Sequence, residues 1–312
     1  MIADKLSLVN ALAKQRSPEY VGRFAPSPSG PLHLGSLIAA VSSYIDAKSK
    51  NGSWLLRIED IDPPREPPGA AEYILDQLFT LGLRWDGDVL YQSTRLDAYR
   101  ESLARLSNQG LSYNCSCTRS QIKAMGSIYD GSCRDKNISL AEEFAVRVKT
   151  SNNSIGFDDK IQGYHQQRLE REVGDFIILR KDKLFAYQLA VVIDDDYQKI
   201  TNVIRGHDLL DSTFRQIYLQ NILDLKTPAY AHIPVIINES GKKLSKQHFA
   251  DPIDAKNDKK LIFKALKFLG QGPPISLAKA HSTEQLQWAI DNWDIQAIPK
   301  LANIKEKSKR IV

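Results

Sequence analysis

The sequence predicts an α/β fold: a parallel sheet with its helices, interrupted by a less regular insertion and followed by a small helical C-terminal region. Three observations predict it. Residues 20–110 alternate short apolar runs with stretches of helical spacing, in the order strand, helix, strand, helix. The same rhythm returns near residue 186. Between the two halves lies a segment that carries all three cysteines and interrupts the rhythm.

Tyr20–Phe24 reads as a short strand that runs into a loop stiffened by Pro26, Pro28, Gly30 and Pro31. The loop ends in His33-Leu34-Gly35-Ser36 and enters a helix that reaches Lys50 and stops at Asn51-Gly52. A strand-to-helix turn presents backbone N–H groups and a positive helix end, a setting suited to phosphate. His33 could add a side-chain donor there and Gly35 a close backbone approach. Taken alone, the segment is equally an ordinary βα loop. Trp54–Ile58 is a short bounded apolar run and reads as a buried strand. It ends in Glu59-Asp60-Ile61-Asp62-Pro63-Pro64, where Asp60 and Asp62 read as turn or capping groups. Gly69–Leu83 and Leu96–Gly110 read as helices.

Within the insertion, Ala145–Val148 and Asp175–Leu179 read as strands and Thr150–Lys160 as a loop. Ala186–Asp194 and Ile200–Ile204 resume the α/β rhythm, followed by a helix over Ser212–Leu223 and one apolar strand over Ile233–Ile237. After Ser240-Gly241 the chain turns basic at Lys242, Lys243 and Lys246. Residues 252–312 read as short helices, with Leu261–Leu269 the clearest.

The 42% apolar and 25% charged residues of this 312-residue chain make a globular composition with ample length for a core. A net charge of +5 is compatible with a polyanionic partner and does not require one. No apolar run approaches the roughly 18 residues of a membrane helix, so no membrane association is expected. Residues 1–19 lack a signal-peptide layout and read as an N-terminal extension. Three cysteines, two of them one residue apart, make a poor disulfide framework, which points to a reducing cytoplasm.

Four segments occur in order: FAPSPSGPLHLGS from Phe24, RIEDIDPPR from Arg57, VIRGHDLLDST from Val203 and KKLSKQ from Lys242. Together they resemble the glutamyl branch of the class I aminoacyl-tRNA synthetases. His33-Leu34-Gly35-Ser36 resembles the HIGH motif with Ser in the last place, and Lys243-Leu244-Ser245-Lys246-Gln247 resembles the KMSKS motif. The resemblance implies a Rossmann-type catalytic domain, with His33 and Lys246 as catalytic residues. It also implies ATP bound by His33, Gly35, Ser36, Lys243 and Lys246, with Mg²⁺ accompanying the ATP. Glutamate would be lined by Arg23, Ala25, Ser27, Glu59, Tyr187 and Arg205. The chemistry agrees: attack of a carboxylate on the α-phosphate needs positioning and charge neutralisation rather than a protein nucleophile. An α-ammonium wants a carboxylate such as Glu59, and a side-chain carboxylate wants a planar fork such as Arg205 or Arg23. Without the other motifs, the lysine run reads as a solvated loop, and Glu59 and Arg205 as a surface ion pair.

Cys115-x-Cys117 followed by Tyr129-x₃-Cys133 supplies three thiols for a tetrahedral zinc ion but lacks the usual histidine as a fourth ligand. Spacing alone leaves open small buried cysteines. The pattern is similar to the zinc site of the glutamyl-queuosine tRNA(Asp) synthetases, which implies one structural Zn²⁺ held by Cys115, Cys117, Tyr129 and Cys133. The chain ends about 65 residues after Gln247, whereas a complete glutamyl-tRNA synthetase continues for at least another domain of about 100–200 residues. That too resembles the queuosine enzymes. The expected partners are ATP, L-glutamate and tRNA(Asp) carrying queuosine, with the chain acting as a monomer. The alternatives are a minimal glutamyl-tRNA synthetase and a non-catalytic zinc-containing RNA-binding module. The expected divisions are an extension (1–19), the first catalytic half (20–110), the zinc-bearing insertion (111–185), the second half with the KMSKS-like loop (186–250) and a helical region (251–312).

Overall fold

The computed structural model describes residues 20–126, 128–139, 143–238, 241 and 251–305. The expected extension (1–19) and the basic segment with Lys242, Lys243 and Lys246 lie outside these residues. The first half runs β1 (Val21–Phe24), α1 (Leu34–Lys48), β2 (Ser53–Ile58), α2 (Ala70–Thr80), β3 (Leu90–Tyr91) and α3 (Leu96–Asn108). The insertion holds β4 (Ser112–Cys115), α4 (Arg119–Ala124), β5 (Ala145–Val148), β6 (Ser154–Asp159), β7 (Gly163–Arg168), α5 (Leu169–Glu172) and β8 (Ile177–Leu179). The second half holds α6 (Tyr187–Tyr197), β9 (Asn202–Gly206), α7 (Leu210–Ile222), β10 (Ala229–Ile233) and β11 (Val235–Ile237). Then follow α8 (Leu261–Phe268), α9 (Ser282–Asp291) and β12 (Asn303–Lys305).

β1 pairs with β2, β2 with β3, and β9 with β10, each in parallel. The two halves join at Val21, whose carbonyl accepts from Thr201 N and whose N–H donates to Thr201 Oγ1, both at 2.9 Å. The lateral order is therefore β3-β2-β1-β9-β10. Chain order reverses between β1 and β9, the place where open α/β sheets form their ligand crevice. Side chains alternate across the sheet: Val203 enters a core with Tyr99, Leu189, Phe214 and Tyr230, while Ile204 enters one with Leu37, Trp54, Ile262 and Leu266. The second core brings α8 and α9 onto α1, which explains why α1 is buried over most of its length. Trp293 Nε1 ties this region further by donating to Asp46 Oδ1 at 2.8 Å.

The strand and helix expectations for residues 20–110 stand within a few residues. Ala186–Asp194 lies in a helix, α6. Three readings need correction. Thr150–Lys160 is not a loop: it contains β6, paired antiparallel with β7. Its Ser, Asn, Asp and Gly content reads as loop, but Ile155 and Asp159 turn inward, and the Asp159 carboxylate accepts the N–H groups of Ile161 and Gln162 at 2.9 Å to close the hairpin. Ile233–Ile237 is not one strand. Pro234 has no N–H to continue a ladder, so β10 ends there and β11 pairs instead with β12, a strand the sequence did not announce. Asp60 is not a local turn group: it accepts from Ser93 N at 2.9 Å and Ser93 Oγ at 2.6 Å, 33 residues away. Asp62 does stand at the N-cap of a short 3-10 helix, Pro63–Arg65, where its carbonyl accepts from Arg65 N at 2.9 Å, while its carboxylate makes no cap bond and pairs with Arg65 and, at 3.3 Å, with Arg180.

Gly174 crosses the cysteine segment at Tyr129, and a Cβ there would lie 2.4 Å from the Tyr129 carbonyl oxygen, with φ at +73°. Gly163 has φ of +86° and open space around it. Both Ala variants carry a left-handed backbone cost of about 1–2 kcal/mol, but only Gly174→Ala adds a backbone collision. Thermal melts should show a clearly larger drop in Tm for Gly174→Ala than for Gly163→Ala; equal drops would contradict this packing.

Candidate active site

Two adjoining cavities open at the reversal point. The first, about 520 Å³, is lined by Arg23, Ala25, Ser27, His33, Gly35, Ser36, Tyr187 and Arg205, together with loop and strand residues around them. The second, about 660 Å³, is lined by Glu59, Asp62, Glu66, Arg180 and Phe185, among others. They share Ser27, Ser29 and Tyr187. Every sequence-predicted residue for ATP or glutamate among the described residues therefore borders one of two connected spaces. Lys243 and Lys246 are outside the described residues.

The HLGS segment builds the wall of the first cavity. His33 is the N-cap of α1: its Nδ1 accepts from Ser36 N at 3.2 Å, while Ser36 Oγ accepts from His33 N at 2.9 Å and donates to the His33 carbonyl at 2.8 Å. This reciprocal cap follows the capping-box pattern, with His33 at the N-cap and Ser36 at the third helical position where Glu or Gln is usual. It also sets the tautomer. Nδ1 is an acceptor, so a neutral His33 carries its proton on Nε2. No acidic residue sits in the first turn of α1, which leaves the positive helix end uncompensated by the helix itself.

Beneath the second cavity, charges alternate. Arg23 Nε lies 3.3 Å from Asp195 Oδ1, Arg57 Nη1 lies 2.9 Å from the same oxygen, and Arg57 Nη2 lies 3.6 Å from Glu59 Oε1. All four side chains are buried, and Glu59 lies against Arg57 rather than forming a surface ion pair with Arg205. Burial would push the Asp195 carboxyl up, but Arg23 and Arg57 together hold it below its ordinary range. For Glu59 burial wins over Arg57 and Arg23, and the carboxyl is pushed up to about 7. Glu59 Oε1 has no hydrogen-bond partner among the described residues. Sequence reasoning missed Arg57 and Asp195. A lone arginine inside the apolar run Trp54–Ile58 was the available signal for the first.

Arg205 is also buried and has different company. Its Nη1 donates to Tyr187 Oη at 3.3 Å, Nη2 to Thr213 Oγ1 at 2.7 Å and to the Leu209 carbonyl at 3.4 Å, and Nε to His232 Nε2 at 3.0 Å. Among the described residues these hydrogen-bond partners are all formally neutral, so the guanidinium keeps its full charge for an incoming anion. Tyr187 lies in the combined field of Arg205, Glu59, Arg23 and Asp195, and burial raises its phenol above the ordinary range.

The cysteines converge in the insertion. The Sγ atoms of Cys115, Cys117 and Cys133 lie within 4.8 Å of one another, Cys117 and Cys133 at 3.5 Å. Tyr129 Oη stands 3.4 Å from Cys115 Sγ and 3.7 Å from Cys117 Sγ. Ligands at about 2.3 Å from a tetrahedral zinc stand about 3.8 Å apart, so the four residues fit such an ion. Arg134, next to Cys133, grips Asp175 with Nε at 2.7 Å and Nη2 at 2.6 Å, fastening this loop to the insertion's sheet.

The comparisons agree with this architecture. The family described as tRNA synthetases class I (E and Q), catalytic domain, matches residues 19–270. A protein of Pseudomonas aeruginosa named Glutamyl-Q tRNA(Asp) synthetase is 48% identical over 288 residues, which cover 92% of this chain and 98% of its own. A protein of the same name from Pseudomonas syringae is 47% identical over 291 residues, covering 93% and 98%. A glutamate tRNA ligase from Elizabethkingia meningosepticum, solved with its amino acid, superposes with a TM-score of 0.75 at 25% identity, over 92% of this chain and 67% of that one. The glutamate-tRNA synthetase of Elizabethkingia anophelis has the same fold, with a TM-score of 0.77 at 24% identity, over 93% and 68%. The chain therefore belongs to the class I synthetases of the glutamate and glutamine branch and, within them, to the glutamyl-Q tRNA(Asp) synthetases.

The raised Glu59 carboxyl has a consequence for stability. Its folded value of about 7 exceeds its ordinary value of 4.5, so its contribution is fully present below about 4.5 and is lost as pH rises through 7. Glu59→Gln should therefore raise Tm at pH 8 and leave it nearly unchanged at pH 5, in melts without ligand. A gain at pH 5 as large as that at pH 8 would contradict the assignment.

Proposed function

We propose that this chain activates glutamate with ATP in the absence of tRNA and transfers the glutamyl group to the cyclopentenediol of queuosine, at the wobble position of tRNA(Asp). The observation that carries the glutamate reading is the placement of two buried, opposite charges on connected cavities. Glu59 offers an under-satisfied carboxylate and Arg205 a guanidinium with neutral partners. An amino acid with an ammonium at one end and a side-chain carboxylate at the other satisfies both. Arg23, Ala25, Ser27 and Tyr187 complete that site on this reading. ATP lies in the first cavity against His33, Gly35 and Ser36, with Lys243 and Lys246 as the basic residues for its phosphates. Mg²⁺ bound with the ATP would supply further charge neutralisation there.

In the first step a glutamate carboxylate oxygen attacks the α-phosphorus and pyrophosphate leaves. In the second, a hydroxyl of the diol attacks the glutamyl carbonyl and AMP leaves. The second cavity, beyond Glu59, offers the room for the acceptor ring. The chain's work in both steps is to orient groups and to exclude water from them. Cys115, Cys117, Tyr129 and Cys133 would hold a structural Zn²⁺, which orders the loop between β4 and β5. Burial holds the Tyr129 phenol above its ordinary range, so its ligation as a phenolate depends on the metal's charge. The protein works as a cytoplasmic monomer on this reading; among the described residues, no helix is long and apolar enough to cross a membrane.

ATP–pyrophosphate exchange tests the first step. Exchange should depend on glutamate and proceed without tRNA, and Lys246→Ala should lower turnover by on the order of 10²–10³, as for loss of one preorganised charge-stabilising group. Near-wild-type exchange in that variant would reject the role of Lys246. Metal analysis of protein purified without chelators should find about one zinc per chain, and a content near zero would reject the ligand set.

A further inference from the structure

A buried histidine stands behind the glutamate site without touching either cavity. His232, on β10, has no solvent exposure, and neither does Thr213; Asp159 and Arg205 are nearly as buried. The nitrogen of Arg205 that meets the imidazole is Nε, which can only donate. His232 Nε2 therefore accepts that bond, at 3.0 Å, and the imidazole proton sits on Nδ1, 2.6 Å from Asp159 Oδ2. Asp159 is itself fixed. Its Oδ1 accepts from the backbone N–H groups of Ile161 and Gln162 at 2.9 Å and of His232 at 3.1 Å. Thr213 Oγ1 bridges, 2.7 Å from Arg205 Nη2 and 3.2 Å from His232 Nε2. Tyr230 stacks on the imidazole with its ring centroid at 6.2 Å and an interplanar angle of 11°.

We propose that His232 is a positioning residue for the Arg205 guanidinium and thereby sets the preference for a side-chain carboxylate over an amide. This rests on the reading that Arg205 binds the glutamate side chain. The relay has a specific chemical merit. Asp159 anchors the arginine through a neutral ring rather than by pairing with it directly, so this carboxylate does not compete with the substrate for the guanidinium. Burial supports this, holding the imidazole neutral by lowering its pKa to about 4. With Nε and Nη2 occupied by His232, Thr213 and the Leu209 carbonyl, the Nη1 edge lies by Tyr187, the residue shared by both cavities. The guanidinium held in this plane presents its Nη1 donor with an uncancelled positive charge, which rewards a charged carboxylate over a neutral amide.

The test is calorimetric binding of glutamate and of glutamine to wild type, His232→Leu and His232→Gln, with ATP–pyrophosphate exchange run alongside. His232→Leu should weaken glutamate about 10–100-fold, the range for a hydrogen bond to a charged group. The KM for ATP should stay unchanged, kcat should change far less than the KM for glutamate, and the glutamate-to-glutamine ratio should collapse towards one. His232→Gln, which keeps an acceptor facing Arg205, should recover most of the glutamate affinity, and His232→Phe, which keeps a ring beside Tyr230 but offers Arg205 no acceptor, stands in for the leucine variant if that one does not fold. Glutamate affinity unaltered in both variants, or glutamate and ATP constants weakened together, would overturn the positioning role. A wild-type protein that binds no glutamate would overturn the underlying reading, and this inference with it.

Discussion

Charge buried at the mouth of a sheet is costly unless it is paired, and the row Arg23, Asp195, Arg57, Glu59 is how this fold meets that constraint. The row joins β1, β2 and α6, which are far apart in sequence, so it fixes the relative placement of both catalytic halves. Removing Asp195 would take from Arg23 its ion-pair partner and leave Arg57 with Glu59 alone, at 3.6 Å, a loss of about 3–5 kcal/mol by analogy with other broken buried pairs. The row ends unbalanced: Glu59 has an oxygen without a hydrogen bond and a raised pKa. A bound ammonium completes it on the proposed reading. The same carboxylate that costs stability in the empty protein is thus available to its ligand.

Arg205 follows the opposite rule. It is surrounded by a hydroxyl, a phenol, a carbonyl and a neutral imidazole, so its charge is held in place without being cancelled. The cavity that takes ATP on the proposed reading uses neither device. There the backbone supplies the polarity, through a helix N-terminus whose cap, His33 with Ser36, is also part of the cavity wall. One short motif thereby ends a loop, starts a helix and orients an imidazole.

Much of this was legible in the sequence because it sits beside breakers. Arg23, Glu59 and Arg205 fall at or just beyond strand ends, and the Pro- and Gly-rich loop marks the crevice. The zinc-like cluster was legible as a spacing, although the meeting of Tyr129 with all three thiols depends on folding of the whole loop. What was not legible lay inside apolar runs or polar stretches. Arg57 is hidden in Trp54–Ile58, and His232 in Ala229–Ile233, where a histidine reads as core. The hairpin β6–β7 has loop-like composition, and only its fit against α7 and β10 makes it sheet. Pro234 was visible, but the strand it frees, β11, finds its partner in β12, some 70 residues on, and no local pattern carries such a pairing.

On the proposed reading a glutamate site serves an unusual RNA acceptor, and transfer is where the two meet. The most direct measurement is incorporation of labelled glutamate into tRNA(Asp) with and without queuosine, alongside tRNA(Glu). The account predicts label on queuosine-containing tRNA(Asp) alone. Label on tRNA(Glu), or equal label on both forms of tRNA(Asp), would contradict it.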